Sequence, residues 1–134
     1  MRASADGDRT SASFGKSRRL LTAAQYRAVF DDVTVKASHP NMLLLARVGE
    51  TPQSRLGLVI AKKNVRQAVQ RNRIKRVARE LFRQQPPANP PLDVVLLARR
   101  GLDDLDNTAL FAALGEQWQK LVRNAARAPQ TRDD

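Results

Sequence analysis

Four short apolar segments along the chain have the length and composition of β-strands. Three of them, at 33–37, 42–48 and 55–61, are separated by Pro, Asn, Gly and Ser residues that favour turns. The fourth, LDVVLLA at 92–98, is apolar at six of its seven positions. Because side chains alternate between the two faces of a strand, this segment predicts a strand that is buried on both faces.

Three further segments have the apolar spacing of helices. The first is predicted to begin at Thr22, because Thr22 and Gln25 have the spacing of a capping box, and to end near Phe30. Tyr26, Val29 and Phe30 then share one face of this helix. We expect that face to pack against the rest of the protein.

The other two helices are longer. One is predicted to span about 65–84, with Asn64 as its N-cap and the pair Pro86-Pro87 ending it. The last is predicted to run from about 108 to 125, with Asp106 or Asn107 as its cap. Its apolar residues recur every three or four positions and form a stripe that can cover a sheet.

The order of these elements is α-β-β-β-α-β-α. This order predicts an α/β, or α+β, two-layer sandwich in which helices pack on a four-stranded mixed sheet. Residues 1–13 are small and polar, so we expect a disordered N-terminal extension there. A single domain should follow at 14–125, with a disordered C-terminal tail at 126–134.

The chain is strongly basic, and this predicts the class of its partner. It has 24 Lys and Arg residues against 13 Asp and Glu, which gives a formal net charge of +11. A protein with this charge is expected to bind a polyanion. No apolar run approaches the roughly 20 residues of a membrane-spanning helix, and residues 1–13 lack the apolar segment of a secretory signal. We therefore predict a cytoplasmic protein without a membrane partner.

Composition also limits the chemistry that the chain can perform. Cysteine is absent, which excludes disulfides, thiolate metal sites and a cysteine nucleophile. His39 is the only histidine, and the acidic residues are scattered or lie at 103–106, where they suit a helix start. A nuclease with its own catalytic carboxylates is therefore disfavoured, and no metal site is predicted on the protein alone.

The strongest signal lies between Ala61 and Arg83, which contain nine basic residues and a single acid, Glu80. The apolar residues of this segment fall on one helical face: Ile74, Val77, Ala78, Leu81 and Phe82. The opposite face then contains Asn72, Arg76, Arg79 and Arg83, with Arg71 and Lys75 on one flank and Arg73 on the other. Because guanidinium groups match phosphate oxygens, this face predicts phosphate binding, whereas a merely solvated charged face is the plainer alternative.

The basic helix carries a set of residues at fixed spacing. They are Lys62-Lys63, Ala68-Val69, Arg71-Asn72-Arg73, Lys75-Arg76, Arg79-Glu80 and Phe82. With the flanking sequences RRLLTAAQYRAVF, RLGLVIAKK and DVVLLARRG, this set resembles the signature of bacterial ribonuclease P protein subunits, including the RNR motif, over about 14–123. The resemblance implies an unusual left-handed β-α-β crossover, whereas about 98% of parallel crossovers are right-handed.

The resemblance also implies a function. Proteins of this family bind a large catalytic RNA, and the complex is an endonuclease that removes the 5′ leader from precursor tRNA by magnesium-dependent hydrolysis. The catalytic centre lies on the RNA, which binds most of the magnesium. The residues implied to contact the RNA are Lys62, Lys63, Arg66, Arg71, Asn72, Arg73, Lys75, Arg76 and Arg79.

A second surface implied by the resemblance is a cleft between the first helix and the sheet, which holds the single-stranded leader. Its residues are Arg18, Arg19, Tyr26, Phe30 and Leu45. Aromatic side chains stack unpaired bases, although the spacing of Tyr26 and Phe30 fits a plain core face equally well. Leu45 stands where the family commonly has an aromatic residue, and it offers apolar contact without a π face.

Two other binding functions share some of these features. A structural RNA-binding protein, such as a ribosomal protein, would have the same charge and layering, and only the long motif favours ribonuclease P over it. A helix that reads DNA sequence usually interleaves Asn, Gln or Ser among its base contacts. The face predicted here is mostly arginine, which favours phosphate contacts instead.

Overall fold

The computed structural model describes residues 18–86, 88 and 90–132, with side chains as far as Arg127. The helices are α1 (Ala23–Asp31), α2 (Ala68–Gln84) and α3 (Asn107–Arg132), and the strands are β1 (Val35–His39), β2 (Met42–Val48), β3 (Arg55–Val59) and β4 (Leu92–Ala98). A turn of 3-10 helix, Leu102–Asp104, precedes α3. The predicted N-terminal extension at 1–13 lies outside the described residues.

The four strands form one mixed sheet in the order β1-β2-β4-β3, so the predicted sheet is confirmed. β2 pairs antiparallel with β1 and β4, whereas β3 pairs parallel with β4. Because β4 lies between two strands, six of its seven residues are buried, as LDVVLLA predicted. α2 connects the parallel strands β3 and β4. The left-handedness of this crossover stays a prediction.

Alternating side chains along the strands divide between two cores. Met42, Leu44 and Ala46 of β2 belong to the larger core, which includes the buried residues of α2 and α3. On the other face of the sheet, Val29 of α1 packs with Val95 of β4 in a smaller core. The sheet with α2 and α3 forms the predicted sandwich, and α1 adds a partial layer on the opposite face.

Local hydrogen bonds determine where α1 and α3 begin. The predicted capping box is confirmed, because Thr22 Oγ1 accepts a hydrogen bond from Gln25 N and Gln25 Oε1 accepts one from Thr22 N, both at 3.1 Å. At α3, Asp106 Oδ1 accepts a hydrogen bond from Ala109 N at 2.8 Å. Of the two predicted candidates, Asp106 is therefore the cap.

The start of α2 differs from the prediction. Asn64 is not the N-cap, because its Nδ2 donates a hydrogen bond to the carbonyl oxygen of Ala98 at 2.9 Å. Residues 61–65 form a separate turn, and α2 begins at Ala68 after Gln67, which makes no side-chain capping bond. The loop before α2 is thus attached to the end of β4.

Two strand boundaries also shift. β1 lies at 35–39 rather than 33–37, because its pairing with β2 continues as far as the pair His39 and Met42. β3 ends at Val59 rather than at residue 61, because its pairing with β4 ends there. Both boundaries are determined by pairing with a neighbouring strand, and the sequence of a single strand does not reveal this pairing.

The end of α3 lies beyond its predicted position. The helix continues to Arg132 rather than ending near Ala125, so the tail predicted to be disordered is helical up to Arg132. Ala126 and Arg127 have high helix propensity, which favours this extension, whereas Pro129 opposes it. Among the described residues, no helix is both long and apolar enough to cross a membrane.

Candidate nucleic-acid interface

α2 packs on the sheet through the apolar face that its sequence predicted. Ile74, Ala78, Leu81 and Phe82 are buried, and Val77 packs against the same core. These contacts hold the helix on a rigid support. Its basic side chains are therefore displayed from fixed backbone positions.

Five cations on α2 and the loop before it have no partner within the described part of the chain. Their side chains make neither a hydrogen bond nor an ion pair there: Lys62, Lys63, Arg66, Lys75 and Arg76. Lys75 is half-buried and the other four are exposed. Asn72 is exposed one turn before Arg76, on the outer face where it was predicted. The five cations, without Asn72, are called the cation row.

Arg71 and Arg73 of the RNR motif, which were predicted on the two flanks of the outer face, bind other parts of the protein. Arg71 Nη1 donates hydrogen bonds to the carbonyl oxygens of Val65-Arg66, at 3.0 and 2.9 Å. Arg73 Nη1 donates to Asn107 Oδ1 at 2.7 Å, and its Nη2 donates to the carbonyl oxygen of Asp103 at 3.2 Å. The two arginines therefore attach the preceding loop and the start of α3 to α2.

Two arginines nearer the end of α2, Arg79 and Arg83, are half-buried. Arg83 forms an ion pair with Glu80, and hydrogen bonds, the first of them from Arg83, lower the pKa of Glu80. Arg79 is half-buried, and its burial, followed by the charge of Arg19, lowers its pKa. Arg79 therefore lies near Arg19 and Tyr26.

Tyr26 is anchored between α1 and the edge of the sheet. Its hydroxyl oxygen accepts a hydrogen bond from the backbone N–H of Leu58 in β3 at 3.0 Å. Its ring lies over Gly57, where a Cβ atom would come within 2.6 Å of Tyr26 Cε2. Glycine at this position therefore provides the space for the ring, which is only half-buried. Tyr26 has a fixed position and a partly accessible surface.

The α1 face of the sheet has the other apolar residues of the predicted cleft. Phe30, one turn after Tyr26, is 43% exposed. Leu45, Val59 and Leu97 are half-buried and pack around the smaller core. They form an apolar floor beside α1, and the structure thus brings Tyr26, Phe30 and Leu45 to one side of the sheet.

Arg18 lies elsewhere than predicted. Its guanidinium carbon is 5.4 Å from the centre of the Phe82 ring, a distance that permits a cation–π contact. Its Nη2 also donates a hydrogen bond to the carbonyl oxygen of Phe82 at 3.4 Å. Burial, followed by the charge of Arg83, lowers the pKa of Arg18. Arg18 therefore packs against α2 rather than lining the cleft beside α1.

Two arginines directly after β4 were missing from the predicted site. Arg99 Nη1 donates hydrogen bonds to the carbonyl oxygen of His39 at 2.7 Å and to Ser38 Oγ at 3.1 Å. Arg100 is exposed, and its side chain has no hydrogen-bond or ion-pair partner among the described residues. The sequence contains the pair Arg99-Arg100. Only the structure shows that Arg99 binds Ser38 and His39, whereas the side chain of Arg100 has no partner among the described residues.

The described carboxylates are dispersed or engaged in other contacts. Asp93, which is buried, accepts two hydrogen bonds from Arg55, at 2.9 and 2.8 Å. Within residues 18–86, 88 and 90–132, no three His, Asp or Glu side chains are grouped so that they could hold a metal ion.

A family model described as Ribonuclease P matches residues 14–122. The ribonuclease P protein component of Pseudomonas paraeruginosa is 47% identical over 123 residues, which are 92% of this chain and 91% of the relative. The RNase P protein of Thermotoga maritima matches with a TM-score of 0.61 at 26% identity, over 78% of this chain and 96% of that one. The RNase P protein of Staphylococcus aureus shares the fold, with a TM-score of 0.64 at 20% identity over 84% and 98% of the two chains. This chain therefore belongs to the ribonuclease P protein family.

Proposed function

We propose that this chain is the cytoplasmic protein subunit of ribonuclease P, which binds the catalytic RNA and the 5′ leader of precursor tRNA. In this proposal the RNA hydrolyses the phosphodiester bond with magnesium ions that it binds itself, and the protein assists by holding RNA and substrate. The observation that carries the proposal is the cation row on a helix that the sheet supports.

The cation row has the positive charge that RNA phosphates require. Each phosphate neutralised by Lys or Arg releases condensed counterions, which favours binding at low salt. Within the described part of the chain, the cations of the row have no ion pairs that RNA would first have to break. Because α2 is already packed on the sheet, little backbone ordering opposes binding.

The α1 face supports the part of the proposal that concerns the leader. Tyr26 and Phe30 provide aromatic surface, and Leu45 adds an apolar contact. Arg19 and Arg79 supply positive charge near Tyr26. Stacking of unpaired bases on aromatic rings is worth ~1 to 3 kcal/mol per base and tolerates different sequences, which suits a single-stranded segment.

Reconstitution with the catalytic RNA tests this function. At low magnesium, we expect the protein to increase removal of the leader from precursor tRNA, because its cations replace screening ions. Gel analysis of the released leader and the mature 5′ end measures the effect. Polylysine at equal charge is the control for nonspecific screening. No stimulation, or the same stimulation by polylysine, would reject the proposal.

The variant Tyr26→Ala tests the leader cleft. We expect it to weaken binding of precursor tRNA to the assembled complex roughly 5- to 150-fold, since one stacking contact is lost, with little effect on mature tRNA. Tyr26→Phe keeps the ring and removes only the oxygen that accepts from Leu58 N, so it should retain leader binding. Titrations followed by fluorescence anisotropy measure both. Equal losses for the two RNAs, or for the two variants, would contradict the stacking role.

A further inference from the structure

Gly57 lies in the centre of β3, on the face of the sheet that α1 covers. It is paired with Val95 of β4, whose side chain belongs to the smaller core. A Cβ atom at this position would come within 2.6 Å of Tyr26 Cε2 and 2.8 Å of Tyr26 Cζ. The next nearest atom would be Leu20 Cδ1, at 3.0 Å. The ring of Tyr26 therefore fills the space that a Cβ atom would need.

The hydroxyl group of the tyrosine holds the ring against Gly57. Its oxygen accepts the hydrogen bond from the backbone N–H of Leu58, the residue directly after Gly57, at 3.0 Å. β3 is an edge strand of the sheet, and the carbonyl oxygen of Leu56 accepts a hydrogen bond from Leu20 N at 3.0 Å. Together these bonds attach the segment before α1, and α1 with its tyrosine, to the edge of β3.

The backbone conformation of Gly57 does not explain why this residue is glycine. Among the described glycines only Gly101 has a positive φ, so other residues would fit the backbone at position 57 without strain. Glycine is also unfavourable within a strand, because it loses more conformational freedom on folding and packs no side chain. The close approach of the Tyr26 ring is thus the feature that requires glycine here.

We infer that Gly57 is a positioning residue for the single-stranded leader, because it sets the depth at which the Tyr26 ring lies on the sheet. This inference rests on the proposed function, since it requires that the leader stacks on Tyr26. Arg79 and Arg19 provide positive charge beside the ring, so the depth of the ring sets the distance between a stacked base and these charges. A Cβ atom at position 57 would displace the ring by about 0.8 Å, the difference between 2.6 Å and an ordinary contact of 3.4 Å, and disturb its bond to Leu58 N.

The variant Gly57→Ala, in the full chain assembled with the catalytic RNA, tests this role. We expect precursor tRNA to bind at least about fivefold more weakly, with the loss for Tyr26→Ala as the upper limit, because at most one stacking contact is lost. Mature tRNA should bind as before. Gly115→Ala in α3 is the matched control, since its added methyl group would lie 3.7 Å from Leu81 Cδ1, and it should leave both affinities unchanged. Fluorescence anisotropy measures the binding.

The displacement of the ring can be observed directly. Tyr26 is the only tyrosine of the chain, so NMR spectra of protein labelled with ¹³C-tyrosine show the signals of this ring alone. Gly57→Ala should shift these signals, whereas Gly115→Ala should not. Unshifted signals for Gly57→Ala would overturn the inference, because the added methyl group would then not have moved the ring.

The double variant Gly57→Ala with Tyr26→Ala shows whether the methyl group acts through the ring. It should bind precursor tRNA as Tyr26→Ala does, because there is no ring left to displace. A further loss in the double variant would mean that Gly57 acts on the leader or on the fold by another route, and would reject the positioning role. If Gly57→Ala alone does not fold, the double variant should fold again, and its failure to fold would equally overturn the inference.

The single variant Tyr26→Ala separates this inference from the proposed function. If Tyr26→Ala weakens binding of precursor tRNA while Gly57→Ala equals Gly115→Ala, the role of Gly57 alone is overturned. If Tyr26→Ala has no effect, the leader cleft of the proposed function is itself wrong, and the role of Gly57 is rejected with it.

Discussion

Replacing Asp93 with alanine is expected to lower the free energy of unfolding by about 3 to 5 kcal/mol, because it leaves the largely buried guanidinium group of Arg55 without its hydrogen-bonded counter-charge, whereas Arg47 keeps Glu50 at 3.2 Å. Hydrogen bonds from Arg55 to Asp93, at 2.9 and 2.8 Å, are the main cause of the raised pKa of Arg55. Arg47 Nε lies 4.0 Å from the same carboxylate. The side chains of Arg47 and Arg55 are only 14% and 13% exposed, so water cannot replace Asp93 fully.

Urea unfolding followed by circular dichroism measures this loss. Asp32→Ala is the matched control, because Asp32 also lies 4.0 Å from Arg47 but is 66% exposed, and its removal should cost less than about 1 kcal/mol. The double variant Asp93→Leu with Arg55→Met should recover part of the loss, since an apolar pair avoids the desolvation of charges. A loss below about 1 kcal/mol for Asp93→Ala would contradict the assigned role.

The same ion pairs position the floor of the candidate cleft. Arg47, Asp93 and Arg55 are direct neighbours across β2, β4 and β3, on the face of the sheet that α1 covers. A slip of one residue would turn these charges toward the larger apolar core, which is strongly unfavourable. The charges therefore specify the register that places Leu45 and Leu97 beside α1.

The elements that the sequence predicted best are those determined by local patterns. The capping box of Thr22 and Gln25 depends on residues three positions apart, and LDVVLLA contains its own evidence for burial on two faces. The prediction of Asn64 as the N-cap was wrong, because its side-chain amide donates a hydrogen bond to the carbonyl oxygen of Ala98, which is 34 residues away in the chain. Pairing partners of this kind are non-local, and a single sequence does not contain them.

The candidate site shows the same division between local and non-local information. The density of basic residues in α2 predicted the surface, and helical periodicity predicted that Asn72 and Arg76 face outward. Periodicity gives the direction of a side chain but not its partner. Arg71 and Arg73 differ from Arg76 because the preceding loop and Asn107 approach them in the folded chain.

This division also explains why Arg71 and Arg73 are poor choices for measuring RNA contacts alone. Alanine at either position removes hydrogen bonds that join segments of the protein, each worth about 0.5 to 1.5 kcal/mol of stability. A loss of RNA binding in such variants would combine lost contacts with a displaced loop. Residues of the cation row avoid this problem, because they have no partners to lose in the described part of the chain.

The triple variant Lys62→Ala, Arg66→Ala and Arg76→Ala is expected to weaken binding to the catalytic RNA by roughly 500-fold at 0.1 M salt. A slope of about −0.9 per neutralised phosphate makes each contact worth about eightfold at this concentration, and the salt slope should fall by nearly three. Lys120, Arg123 and Arg127 on α3 are exposed and provide a control triple with the same change of charge. Filter binding measures the affinity of each triple variant, and thermal melts show whether each one remains folded. Equal losses for the two triples would mean that net charge, rather than the position of the cations on α2, determines binding.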